Sequence, residues 1–191
     1  QKILEEALTE LKENEFKTLF EKDLKEPKLT IKEVQLDTDL EIMLPDHYVN
    51  SVKERLRLYH QLSAIKDIEE LTLFEKSLED RFGPLPDAAV ELLASVQIKW
   101  VAAALGLERL VIKNGKCVGY FMAQENHPFY ESPQFQNILM RIQEKSKQLQ
   151  LKQKETRQGM RLLLLIDGIK NTATLLKLLQ PLSHPREASG S

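Results

Sequence analysis

The spacing of apolar positions along the chain predicts its elements in order. Ile3, Leu4, Ala7, Leu8 and Leu11 recur at helical spacing, with Lys2, Glu5, Glu6 and Glu10 elsewhere on the wheel, so the chain opens on an amphipathic helix. From 13 to 32, Phe16, Leu19 and Phe20 are scattered among charges up to Pro27, and this segment reads as a linker. Over 33–43 the period changes to two. Val34, Leu36, Leu40 and Ile42 alternate with Gln35, Asp37, Asp39 and Glu41, which predicts a half-buried strand ended by Leu44-Pro45-Asp46. Ser51 followed by Glu54 is a capping box, opening a helix with Val52, Leu56, Tyr59 and Ser63 along one stripe and Leu62 beside it. Asp67 and Glu70 repeat the device for a second helix, which runs through Leu71, Phe74 and Leu78 to about Phe82. Gly83 suits a helix end and Pro84 forbids continuation. Asp87 reads as the cap of a third helix carrying Val90, Leu93, Val96, Trp100, Val101 and Ala104, stopped at Gly106.

Strands are expected at Leu107–Lys113 and Lys116–Gln124, joined by Asn114-Gly115, a two-residue turn whose positions both tolerate positive φ. A loop covers 125–133. Phe135, Ile138, Leu139 and Ile142 start another helix, and the chain becomes polar after Arg141. Met160–Ile166 reads as a buried strand, Gly168–Leu179 as a last short helix ended by Pro181, and the chain from His184 as a tail. The order is α, then β-ααα-ββ-α-β-α. Three helices between the first two strands argue against a doubly wound parallel sheet. The expected fold class is α+β: a small sheet of about four strands with several helices packed on it, plus an amino-terminal helix and linker. The expected division is 1–32 helix and linker, 33–182 the α+β domain, and 183–191 tail.

Composition narrows the function classes. A chain of 191 residues holds one sizeable domain with an appendage. Its 27 basic and 29 acidic side chains leave a net charge of -2, which excludes a globally basic nucleic-acid binder. No uninterrupted apolar run approaches the length of a membrane span, and Leu162–Ile166 is strand-sized, so no span is expected and the chain is read as cytoplasmic. A single cysteine, Cys117, excludes an internal disulfide. The opening, without Met and already in helical pattern, reads as a piece of a longer protein. No heptad run is present, and a monomer is expected.

The chain carries no Walker-type phosphate loop, no G-x-G-x-x-G, no H-E-x-x-H and no G-x-S-x-G. His47, His60, His127 and His184 are widely separated, Glu69-Glu70 and Asp37/Asp39 fall on caps or solvent faces, and Cys117 reads as a buried inert thiol. No catalytic residue, metal site or cofactor is nominated. Three features remain. Asp80-Arg81-Phe82-Gly83-Pro84-Leu85-Pro86 is a helix end with a charge pair, an aromatic and a turn stiffened by Gly and two prolines. From these residues the favoured reading puts Phe82 and Leu85 in the core and the Asp80 and Arg81 charges on the surface; the alternative makes Asp80 and Arg81 a polar knob for a partner. Arg55 and Arg57 point about 200° apart on one helix, and one of them is expected to pair with a carboxylate in the sheet or loops. Residues 141–170 hold eight basic side chains against Glu144, Glu155 and Asp167. With no interleaved aromatic this stretch lacks a stacking platform, which leaves a solvated face or weak phosphate contact as a nucleic-acid accessory module.

Three runs taken in order resemble a known family: Leu40-Glu41-Ile42-Met43-Leu44-Pro45-Asp46-His47-Tyr48-Val49, then Arg55-Leu56-Arg57-Leu58-Tyr59-His60-Gln61-Leu62-Ser63, then Asp80 to Pro86. The pattern is similar to the carboxy-terminal (TRCF) domain of bacterial transcription-repair coupling factors (Mfd), over about residues 33–182. Residues 1–32 look like the end of that family's motor region and the linker leaving it, a possible hinge; 125–160 carries little of the pattern. The resemblance implies a regulatory module and not an engine. The family's full-length proteins are ATP- and Mg-dependent DNA translocases that displace stalled RNA polymerase and recruit nucleotide excision repair through UvrA. Their motor motifs are not in this chain. The resemblance implies an autoinhibitory contact with the UvrB-like amino-terminal module of the same protein, masking UvrA binding, with Asp80, Arg81, Phe82, Gly83, Pro84, Leu85 and Pro86 as the contact motif.

Overall fold

The computed structural model of the chain describes residue 31, residues 33–123 and residues 126–184. The expected first helix, nearly all of the linker and the tail from 185 lie outside the described residues. The elements in order are β1 (Gln35–Thr38), α1 (Val52–Ser63), α2 (Ile68–Phe82), α3 (Asp87–Leu105), β2 (Leu107–Lys113), β3 (Lys116–Phe121), a 3-10 turn (Pro128–Glu131), α4 (Pro133–Glu144), β4 (Leu149–Thr156), β5 (Gly159–Asp167) and α5 (Thr172–Ser183). The sheet runs β1-β2-β3-β5-β4, with β1 parallel to β2 and the other neighbours antiparallel. The fold is α+β, with five strands instead of about four. The additional strand is β4. It is an edge strand paired with β5 alone, and most of its side chains face solvent, so it needs no apolar alternation beyond Leu149 and Leu151.

Two apolar cores hold the chain together. In the first, Leu110, Ile112, Cys117, Leu164 and Ile166 of the sheet meet α4 through Ile138 and Ile142 and α5 through Leu175, Leu179 and Leu182. The second is helical: Leu58 and Leu62 of α1, and Leu71, Phe74 and Leu78 of α2, close over Leu44 and Val49. Helix α3 serves both. Ala89 and Leu93 belong to the helical core, while Ile98, Ala102 and Leu105 belong to the sheet core. This double duty explains its composition. By length and composition α3 is apolar enough to cross a membrane, although Glu91 and Lys99 break its apolar positions into short runs.

The structure corrects several expectations. β1 spans only 35–38; beyond it the alternation of exposure continues through Leu40 and Ile42 without sheet pairing, apart from Asp39 N–H bonding the Ile112 carbonyl at 3.1 Å. β3 ends at Phe121, short of Gln124. The inward face of α1 is Leu58 and Leu62, not Val52 and Leu56, which are 61% and 64% exposed. Leu56, Leu58, Tyr59 and Leu62 allow two helical stripes that share Tyr59, and packing selects the one toward α2. Asp87 is the first residue of α3, and its cap position is held by Pro86 without a side-chain bond. Pro181 does not end α5, which runs through it to Ser183; the proline gives up the bond its own N–H would make to the carbonyl four residues back, and the helix stops two residues later.

Gly106 joins α3 to β2 at φ +83, and a Cβ there would stand 2.6 Å from Phe129 Cε1, inside a ring that is itself fully buried. Left-handed backbone strain and overpacking therefore add. Gly106→Ala is expected to destabilise the fold by roughly 2–4 kcal/mol, read from urea unfolding midpoints.

Candidate interdomain contact at the end of the second helix

The end of α2 is fixed from below by Tyr48. This residue sits in the turn after Pro45, closed by Tyr48 N–H and Val49 N–H on the Pro45 carbonyl at 3.1 and 3.0 Å. The Tyr48 hydroxyl donates to the carbonyls of Leu78 at 3.1 Å and Gly83 at 2.7 Å, and its ring packs tilted on Phe82 with centroids 5.7 Å apart. Burial, reinforced by the Glu79 carboxylate, raises the Tyr48 pKa, so the phenol remains a donor. Gly83 stops the helix at φ 88, ψ -170, a region that only glycine occupies freely. Its own Cβ position is open space, so the requirement is conformational and not steric.

On the outer side, Arg81 Nη2 donates to Glu54 Oε1 of α1 at 2.5 Å, and its guanidinium lies 4.8 Å from the Phe82 ring centroid. Arg57 approaches the other oxygen of Glu54 at 3.9 Å. The hydrogen bond from Arg81 is the main cause holding the Glu54 carboxyl below its ordinary value. Glu54 thus ties α1 to α2 and fixes the direction of Arg81, which stays 48% exposed. Among the described residues Arg55 takes no carboxylate; its Nη1 donates to the Val49 carbonyl at 2.6 Å. Among the described residues the expected pairing of Arg55 or Arg57 with a carboxylate in the sheet or loops is not found: the carboxylate that Arg57 approaches, Glu54, is on its own helix.

The seven motif residues divide by burial. Phe82 and Leu85 are partly buried against the helical core, Gly83 and Pro86 are intermediate, and Asp80, Arg81 and Pro84 are exposed. The structure thus brings together one anchored cation, one exposed carboxylate and a rigid turn. Sequence reasoning passed over Glu54 and Tyr48 as the parts that stiffen this end. It also passed over a groove of about 360 Å3 between α1 and α2, lined by Ile65, Leu73, Phe74 and Ser77 among others, one helical turn before Asp80. The capping box had marked Glu54 only as a helix-start residue.

The chemistry available elsewhere is limited. The Cys117 thiol is buried and pushed up to about 12, and no three His, Cys, Asp or Glu side chains converge as metal ligands among the described residues. The basic stretch 141–170 does not form one surface. It is spread over α4, β4, their turns and β5; Lys152 and Lys154 are exposed, while Arg161 is ion-paired with Glu108 and stacked 5.2 Å from the Tyr120 ring centroid.

Residues 38–132, about half of the chain, match the family model of the TRCF domain. This chain carries a TRCF domain. The match covers all three helices of the helical core, β2, β3 and the 3-10 turn, and with them the 80–86 motif. Among curated proteins, the chain is 33% identical over 99 residues to the transcription-repair-coupling factor of Escherichia coli K12, which is 52% of this chain and 8% of that protein. It is 28% identical over 116 residues to the factor of Staphylococcus aureus USA300, 61% of this chain and 9% of that protein. The chain thus spans less than a tenth of the length of these relatives. Among solved structures, the C-terminal domain of transcription-repair coupling factor is similar with a TM-score of 0.55 at 19% identity, over 79% of this chain and 89% of that one, which shows the shared fold.

Two outcomes follow for the helix end. Tyr48→Phe deletes one donor that serves two carbonyls and is expected to cost about 1–2 kcal/mol in urea unfolding. For Glu54 the folded-state pKa is lowered, so the stability it contributes is present above the ordinary carboxylate range and is lost as pH falls through the lowered value. NMR titration of the Glu54 carboxyl carbon is expected to show that depressed value, returning toward normal in Arg81→Ala.

Proposed function

We propose that this chain is the carboxy-terminal regulatory module of a transcription-repair coupling factor, acting by contact and not by catalysis. In this reading the parent is an ATP- and Mg-driven DNA translocase in the cytoplasm that displaces stalled RNA polymerase and recruits nucleotide excision repair. The module, a monomer, docks on the UvrB-like amino-terminal module of the same protein and masks its UvrA-binding surface until polymerase is engaged. Residues 13–32 would be the hinge that lets it leave, and the boundaries 1–32, 33–182 and 183–191 go with this reading.

The supporting observation is the preorganised charge at the end of α2. Arg81 is aimed by Glu54 and Phe82 beside an exposed Asp80, on a turn held by Tyr48 and Gly83. Side chains already ordered before docking lose little entropy on contact. A contact made by one such pair and a small apolar rim is specific and still weak enough to release, as a few kcal/mol of differential free energy suffices for a switch. Leu73, 68% exposed, supplies apolar surface on the neighbouring groove.

Calorimetric titration of this chain with the separately expressed amino-terminal module of its parent is expected to give a salt-sensitive Kd in the micromolar range, about -8 kcal/mol. Asp80→Ala with Arg81→Ala is expected to weaken it by about tenfold or more. Glu54→Gln, which frees Arg81 without deleting it, is expected to weaken binding less. Unchanged affinity in a folded double variant would place the contact elsewhere.

A further inference from the structure

Helix α1 carries two apolar rows, and the fold covers one. Leu58 and Leu62 go to the helical core. At about 100° per residue, Val52, Leu56 and Tyr59 fall within about 60° of one another on the wheel, a turn apart along the axis. Val52 is 61% exposed and Leu56 64%, and among the described residues neither packs against a core. Tyr59 is half-buried, and its hydroxyl accepts from Leu44 N–H at 2.7 Å, which fixes the end of the row. Met43, the residue before Leu44, is itself 43% exposed where this loop meets α1. Single apolar side chains on a surface are ordinary, whereas a row at this spacing on one helix is the pattern by which helices meet. The row lies about 150° round α1 from Glu54, and so turns away from Arg81 and the turn at 80–86.

Charge narrows what can cover it. Lys53, Arg57 and His60 stand exposed along one edge of the row, and Arg55 lies along the other. The one carboxylate of the helix, Glu54, is on the far side and is held by Arg81. Two copies meeting through this row would therefore set basic side chains against basic side chains, whichever way the two helices ran. A lipid surface suits an apolar row with basic edges, but from Val52 to Tyr59 the row is only about 10 Å long, too short an anchor.

The shape of the partner follows from the backbone. The interior of α1 has its N–H and C=O groups bonded within the helix and offers none to an added strand. A partner helix arrives with its own bonds made and can lay a ridge of side chains along the row. We propose that Val52, Leu56 and Tyr59 form a docking surface for an amphipathic helix of a partner protein, one whose apolar stripe is flanked by Asp or Glu facing Lys53, Arg57 and His60. This surface goes beyond the contact at Asp80 and Arg81 and does not rest on it.

The test uses the full chain and a fluorescent synthetic helix, an alanine-rich peptide with leucines at i, i+4, i+7 and i+11 and glutamates on both flanks. Its control carries lysine in place of every glutamate. Fluorescence anisotropy is expected to show saturable binding of the glutamate peptide and binding of the lysine peptide weaker by about tenfold or more. Leu56→Asp is expected to weaken the glutamate peptide by about tenfold or more while Tm stays within about 2 °C, since the side chain it replaces supports neither core. Lys53→Glu with His60→Glu leaves the apolar row intact and is expected to reverse the preference between the two peptides. Asp80→Ala with Arg81→Ala is expected to leave both affinities unchanged, which separates this surface from the end of α2. No binding, equal binding of the two peptides, or binding indifferent to Leu56→Asp would overturn the proposal. A Leu56-dependent dimer in sedimentation would overturn it in favour of a second copy, and Leu56-dependent pelleting with phosphatidylserine vesicles in favour of a membrane.

Discussion

The structure depends on α3 being buried from two directions. A helix of ordinary amphipathicity spends its apolar stripe on one neighbour. α3 spends its first half on the helical core and its second half on the sheet core, through Ala89 and Leu93 in one and Ile98, Ala102 and Leu105 in the other. The two cores therefore share a rigid axle, and neither can shift without moving the helix that the other is packed on. Thr172 adds a polar lock: its backbone N–H and hydroxyl both donate to Glu91 Oε2, at 2.8 and 2.6 Å, fastening the start of α5 to α3 near the join between the cores. The turn at 80–86 is connected to the sheet through this axle, so a displacement at one end has a mechanical route to the other.

Much of this was legible in the sequence, for local reasons. Helices α1 and α2 announce themselves by capping residues, and in the structure Ser51 Oγ and Asp67 Oδ1 accept from the N–H groups of Glu54 and Glu70 as such caps should. Asn114 and Gly115 take the positive φ values that a two-residue hairpin demands. What was not legible depended on neighbours distant in the chain. β4 could not be seen because an edge strand facing water carries little apolar signal. The face of α1 could not be chosen because two stripes share Tyr59, and only the presence of α2 selects between them. Pro181 was read as a stop because its place in the last turn is not visible without the cap at Asn171 that sets where α5 begins.

The helix end shows the same division in miniature. Gly83, the prolines and the charge pair are a local pattern, and they could be singled out from residues 77–86 alone. Their stiffness comes from elsewhere. Tyr48 lies 35 residues before Gly83 and Glu54 lies 27 before Arg81. A short motif can mark a stiff helix end, but not what holds it still. Here the holding is done by one phenol and one carboxylate whose roles emerge only when α1, α2 and the 45–49 turn come together.

The parallel pairing of β1 with β2 has a temporal consequence. Gln35 pairs with Arg109 and Thr38 with Ile112, so β1 has no partner in this sheet until three helices and the next strand have been made. The helical core, built from residues 44–93, is complete well before that point and can form during synthesis. β1 must then wait, unpaired, and be captured late by a sheet in which only β2–β3 and β4–β5 close as local hairpins. Birth order and folding order are thus reversed for this one strand.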